Sequence, residues 1–181
     1  ERDIFYPSDW SFYIRPATVE AIRNWSMIDD QNGNSIDEVF NEVLKTCLQI
    51  KDSTDRPIPW HNICSWDRFF FLLLIREYTF QDGESNISYY EDCPECETPV
   101  EFNLTSDALM YDTPDEEVIS YYDQTSRTWA IDPSEYEVEG DPITLYVPTL
   151  EKDANIKAWM IRKLQENRNT KIDPVFIRFV S

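Results

Sequence analysis

The sequence predicts an α+β fold. A helical core over residues 18–80, joined by a C-terminal helix, accompanies a small antiparallel β region over 86–147 that carries a CPxC hairpin. Three observations carry this expectation. Apolar residues recur at helical spacing between Ile36 and Leu48. An unbroken apolar run over 69–75 suits a buried helix and is far too short for a membrane span. The middle of the chain alternates short runs of Tyr, Val, Ile and Phe with Pro, Asp and Gly, the pattern of strands and turns. With 181 residues, 41% hydrophobic and 14% aromatic, the chain is able to bury a core and does not resemble a disordered tail.

Taken in order, residues 4–16 read as an extended arm and a short strand with Phe12 and Ile14 on one face. Thr18 caps a short helix to Ser26, with Val19, Ile22 and Trp25 as its stripe. DDQNGNS is a loop, and Ser35 with Glu38 forms a capping box. The helix it opens aligns Ile36, Val39, Phe40, Val43, Leu44, Cys47 and Leu48, which makes Cys47 a packed core thiol. Pro57 and Pro59 separate this from a second helix over 64–79, whose FFFLLLI centre is apolar on all sides and so should be the buried centre of the core. Arg68 is expected to pair with an acid near its first turn, and Arg76 suits its last turn, where the helix dipole favours cations.

Residues 86–91 and 99–104 read as strands joined through the CPEC sequence. A short helix follows Pro114, then strands over 127–131 and 143–147. Residues 152–167 return to helix, with Ala154, Ala158, Ile161 and Leu164 on a stripe and Trp159 beside it. The apolar segment 174–180 is expected to dock on this chain or on a neighbour. The chain thus divides into an arm and helical core over 1–80, an acidic β-rich region over 81–150, and a C-terminal helix and tail over 151–181.

The net charge of −19 is unevenly placed: residues 77–151 hold 20 acids and one base, Arg127, and therefore all of it. An anionic surface repels phosphate backbones and acidic headgroups, so neither nucleic acid nor membrane is an expected partner. A basic protein surface or a cation is what it attracts. The 3 glycines leave no Gly-rich phosphate cradle, and no signal peptide opens the chain, so reduced thiols are expected.

Cys93 and Cys96 are the sharpest local motif, because two thiolates at a hairpin tip form half of a tetrahedral zinc site. Two readings stay open: a knuckle-like turn held by its own strands, or a closed zinc site with His61 and Cys64, at His-x-x-Cys spacing, as the other ligands. Redox catalysis is not expected, since Asp92, Glu95 and Glu97 would raise the thiol pKa. His61, the one histidine, lies in a Pro-bounded segment without a nucleophile elbow and reads as structural. No catalytic centre is legible, and no cofactor beyond the zinc option.

The order of features nevertheless resembles one family. It comprises the Phe5-Tyr6-Pro7 arm, the IRPxT segment from Ile14, the Cys47-Leu48 pair, the DRFFFLLLIRE helix from Asp67, and the CPxC hairpin closing on Phe102, Asn103 and Leu104. These residues, over about 4–110, are similar to the small hub proteins of T4-like phage baseplates. The resemblance implies a non-enzymatic virion subunit in or around the hub of a contractile tail, made in the host cytoplasm. It implies baseplate and hub proteins as partners, with a basic surface facing residues 77–151. An assembly factor absent from the finished particle is the alternative.

Overall fold

The computed structural model describes residues 2–26, 33–80, 87–104, 109, 114–137 and 139–166. The backbone forms two compact units: residues 9–60 with 69–114, and residues 1–8 with 61–68 and 115–181. Both helices and small antiparallel sheets are present, so the α+β class holds.

In the first unit, β1 (Ser11–Ile14) turns Phe12 and Ile14 to its half-buried face and Ser11 and Tyr13 outward. Helix α1 (Val19–Ser26) starts where expected: Thr18 Oγ1 accepts from the Ala21 N–H at 3.2 Å. Val19, placed by sequence on the buried stripe, is 83% exposed, because it sits in the first turn at the outer edge of a short helix. Helix α2 (Gly33–Cys47) begins two residues before the expected cap, so Ser35 lies inside its first turn and does not open it. Its Val43, Leu44 and Cys47 are buried. Full burial of a side chain such as Leu44 contributes about 1.5–3 kcal/mol.

Leu48 does not continue that helix. The chain passes from Cys47 directly into β2 (Leu48–Lys51), where Leu48 and Ile50 are buried and Gln49 is exposed. Pairing with β1, Ser11 opposite Lys51 through Ile14 opposite Leu48, overrides the helical periodicity at this point. The Arg15 N–H donates to Cys47 O at 3.0 Å and the Arg15 side chain donates to Thr46 O, which together hold the helix end. Strand β3 (Pro57–Ile58) pairs with β2 across a turn built on Asp52, whose carboxylate accepts from the Thr54 hydroxyl, the Thr54 and Arg56 N–H groups and the Arg56 guanidinium. Those donors, the Thr54 hydroxyl first, hold its pKa well below the usual carboxylate range.

Helix α3 (Arg68–Thr79) buries Phe71, Leu72, Leu73 and Ile75. Phe69 is 45% exposed, so one side of the apolar run faces out and the helix is not enclosed on every side. The Phe71 ring stacks on Phe12 at 5.4 Å, and Thr79 Oγ1 accepts from the Ala17 N–H at 2.8 Å. Strands β4 (Ile87–Asp92) and β5 (Pro99–Leu104) pair antiparallel from Ile87 opposite Leu104 to Asp92 opposite Pro99.

In the second unit, helix α4 (Glu116–Ser120) follows Pro114 and leads into β6 (Tyr122–Asp123), β7 (Thr128–Ile131) and β8 (Ile143–Tyr146), an antiparallel sheet in that order. The expected strand at 127–131 starts one residue late because Arg127 sits in the left-handed region, φ 56°. Cys64 was expected to begin a helix; it instead forms a β-bridge with Thr149, flanked by Ser65 N–H to Pro148 O (2.8 Å) and Leu150 N–H to Ile63 O (3.2 Å). A 3-10 turn over Ser65–Asp67 then precedes α3.

Thr149 caps helix α5 (Leu150–Glu166), its hydroxyl accepting from the Lys152 N–H at 3.3 Å, with Glu151 and Asp153 in the first turn where the dipole favours acids. The expected stripe of Ala154, Ala158, Ile161 and Leu164 is exposed, as is Trp159. Ile156 and Met160, with Lys152 and Lys163, are half-buried instead. Two long apolar side chains in one helical row thus set the covered face, and the alanine row lies on the opposite side. The segment 174–180 lies outside the described residues.

Candidate functional site

The polar centre of the second unit is built on Tyr6. Its hydroxyl donates to Asp67 Oδ2 at 2.7 Å and accepts from the Cys64 N–H at 3.0 Å, and all three residues are buried. Burial, with the Cys64 and Asp67 charges adding to it, drives the Tyr6 pKa far upward, so the phenol stays a donor. Burial likewise pushes the Cys64 thiol up to about 11, against the lowering effects of Tyr6 and Arg127.

Arg127 reaches the same place from the sheet. Its guanidinium donates to Phe5 O (3.1 Å), Asn62 O (2.7 Å) and Cys64 Sγ (3.3 Å), and lies 5.2 Å from the Tyr6 ring centroid. Tyr122 donates to Phe5 O at 3.1 Å and the Gln124 amide donates to Tyr6 O. The Phe5 ring meets Trp66 and Tyr122 edge-on at 5.2 and 5.6 Å. The one base of the acidic segment is thus a fastener for the aromatic arm. Sequence reasoning singled out both the arm and Arg127 but had no signal that would join residues so far apart in the chain.

The residues named for metal binding fall in different units, Cys93 and Cys96 in the first, His61 and Cys64 in the second. Cys93 is half-buried and Cys96 exposed, in the connection between β4 and β5. The Cys93 N–H donates to Thr98 O (3.0 Å) and the Glu97 N–H to Cys93 O (2.8 Å), with Glu97 at φ 54°. Cys96 Sγ lies 3.3 Å from Thr98 Oγ1, and the Thr98 hydroxyl, able to donate to the thiolate, lowers the Cys96 pKa with the Thr98 backbone and Cys93 adding to it, against the expectation that the neighbouring carboxylates raise it. His61 Nε2 lies 3.7 Å from Glu151 Oε2. Among the described residues no group of three or more His, Cys, Asp or Glu is placed to hold a metal ion. All four cysteines are unbonded to one another.

The surface carries the remaining signal. Every described acidic residue from Glu91 to Glu151 is exposed. Large apolar side chains stand out beside them: Tyr90, Val100, Phe102, Ile143 and Tyr146. No helix among the described residues is long and apolar enough to cross a membrane. An open groove between α1 and α2, lined by Ala21, Asn24, Glu38, Val39, Glu42 and Val43, presents two carboxylates.

No curated protein and no solved structure matches the chain. A family profile described as T4 bacteriophage base plate protein matches residues 4–162. That span contains the arm, the Arg127 fastener and most of α5, and extends well past residue 110, where the resemblance in the sequence ended. The chain belongs to the T4 bacteriophage base plate protein family, and so to the structural proteins of the phage tail baseplate.

Proposed function

We propose that this chain is a non-enzymatic subunit of a contractile-tail baseplate, placed in or around the central hub, and that it acts through protein–protein contacts. The observation that carries this reading is that every described carboxylate from Glu91 to Glu151 is exposed on a baseplate family member. Such a surface is repelled by nucleic acid and anionic lipid, and it is attracted to a basic neighbour, whose orientation and encounter rate it would set. Exposed rings such as Tyr90, Phe102, Tyr146 and Trp159 supply contact anchors of the kind that dominate protein interfaces. On this reading the chain passes from the host cytoplasm during assembly into the tail of the virion.

The test is to recover a tagged chain from infected cells and to quantify it, by mass spectrometry, in purified particles and in the soluble fraction. Presence in particles at a fixed ratio to hub and tube proteins is expected. Presence in assembly intermediates but not in particles would make the chain an assembly factor instead. Recovery alone, as a monodisperse protein, would overturn both readings.

A further inference from the structure

The turn that joins β4 to β5 presents two sulfurs. Backbone hydrogen bonds from Cys93 to Thr98 and from Glu97 to Cys93 close it, and with Glu97 in the left-handed region this one tight turn carries both Cys93 and Cys96. Cys96 is exposed, so this face of the turn is open to another molecule. No third His, Cys, Asp or Glu among the described residues joins the pair. Structural zinc takes four ligands in a tetrahedron, and thiolates are the ligands that select it over harder divalent ions.

We infer that Cys93 and Cys96 are one half of a zinc site completed by the same two cysteines of a second copy of this chain, with the metal on the two-fold axis between two turns. A two-fold axis brings the same patch to itself, so one CPxC turn is sufficient to build a four-sulfur site. The charges around the turn make the pairing conditional. Asp92, Glu95 and Glu97 are exposed beside the sulfurs, so two turns brought together without a cation repel. The same carboxylates draw divalent ions toward the turn. Zinc is then the element that permits contact as well as the one that holds it. This inference goes beyond the baseplate reading, and its test needs no other phage protein.

The full chain, stripped of metal by a chelator and kept reduced, is titrated with zinc alone and followed by sedimentation velocity and native mass spectrometry. A monomer before zinc is expected, and a doubling of mass that is complete near about half an equivalent of zinc per chain. Cobalt in place of zinc is expected to give the intense visible bands of a tetrahedral thiolate complex. C93S and C96S should remain monomeric and lose tight zinc retention, with tryptophan fluorescence verifying that both remain folded. One zinc held per monomer, no zinc held, a dimer that forms without zinc, or zinc retained only after a different protein is added would each overturn the inference. Should either variant fail to fold, an octahedral cobalt spectrum from the unaltered chain would overturn it equally.

Discussion

Tyr6 and Arg127 meet the same physical requirement: each brings polar atoms among apolar ones, and each supplies partners for groups that would otherwise lose their water. The Tyr6 hydroxyl serves Asp67 and the Cys64 N–H at once. Tyr6→Phe keeps the ring and removes both bonds, so that the buried Asp67 carboxylate and the buried Cys64 N–H each lose the bond to the phenol. A loss of roughly 1–3 kcal/mol per group is the ordinary cost of such a change. Urea unfolding should therefore show a drop of that order, whereas an unchanged midpoint would mean that water replaces the phenol. Arg127 is different in kind. Three of its contacts are to Phe5 O, Asn62 O and Cys64 Sγ, each from a different guanidinium nitrogen, so its geometry matters more than its charge, and the single nitrogen of a Lys cannot span the three acceptors.

At the scale of the element, helices α2 and α5 make opposite demands. Leu44 is fully buried in α2, while Ile161 stands 47% exposed on the outer row of α5. Leu44→Ala should cost about 2–5 kcal/mol and Ile161→Ser less than about 0.5 kcal/mol, both read by chemical denaturation. Equal losses would mean that the outer row of α5 is covered within the chain. Local pattern was enough to place the bodies of α2 and α3, though not their first residues, and the pairing of β4 with β5, because helical spacing and the Asp92-to-Pro99 turn are encoded within a few residues. It was not enough for β2, where Leu48-Gln49-Ile50 fits either period and the partner strand β1 decides. The inner face of α5 was misread for a related reason: Ala154 and Ala158 count as apolar but bury little area, and Ile156 and Met160 decide the packing. The polar centre on Tyr6 is legible only once residues 6, 64, 67 and 127 are brought together by the fold. The two cysteines of the β4–β5 turn, by contrast, were visible as a candidate pair from spacing alone.

For the whole molecule, charge placement is the dominant feature. The net −19 rests on residues 77–151, and the described carboxylates from Glu91 to Glu151 are exposed. Reversing Glu116, Glu117 and Asp123 to Lys is expected to weaken assembly at moderate salt, and the accompanying loss of thermal stability should trace to Asp123, whose carboxylate accepts from the Thr125 N–H and the Ser126 hydroxyl at 2.8 Å each. Baseplate assembly that proceeds at an undiminished rate would remove the acidic surface from the account. The two compact units also share the chain in alternating pieces: residues 1–8, 61–68 and 115–181 build one, and the intervening stretches build the other. Order of synthesis therefore differs from order of completion. Phe5 leaves the ribosome well ahead of Arg127, which holds its carbonyl and follows 122 positions later. At translation speeds of about 5–20 residues per second, the aromatic arm waits roughly 6–24 s for its fastener. During that interval Phe5 and Tyr6 are apolar bait for any chaperone or premature neighbour, and the nascent unit closes only when the acidic stretch has emerged.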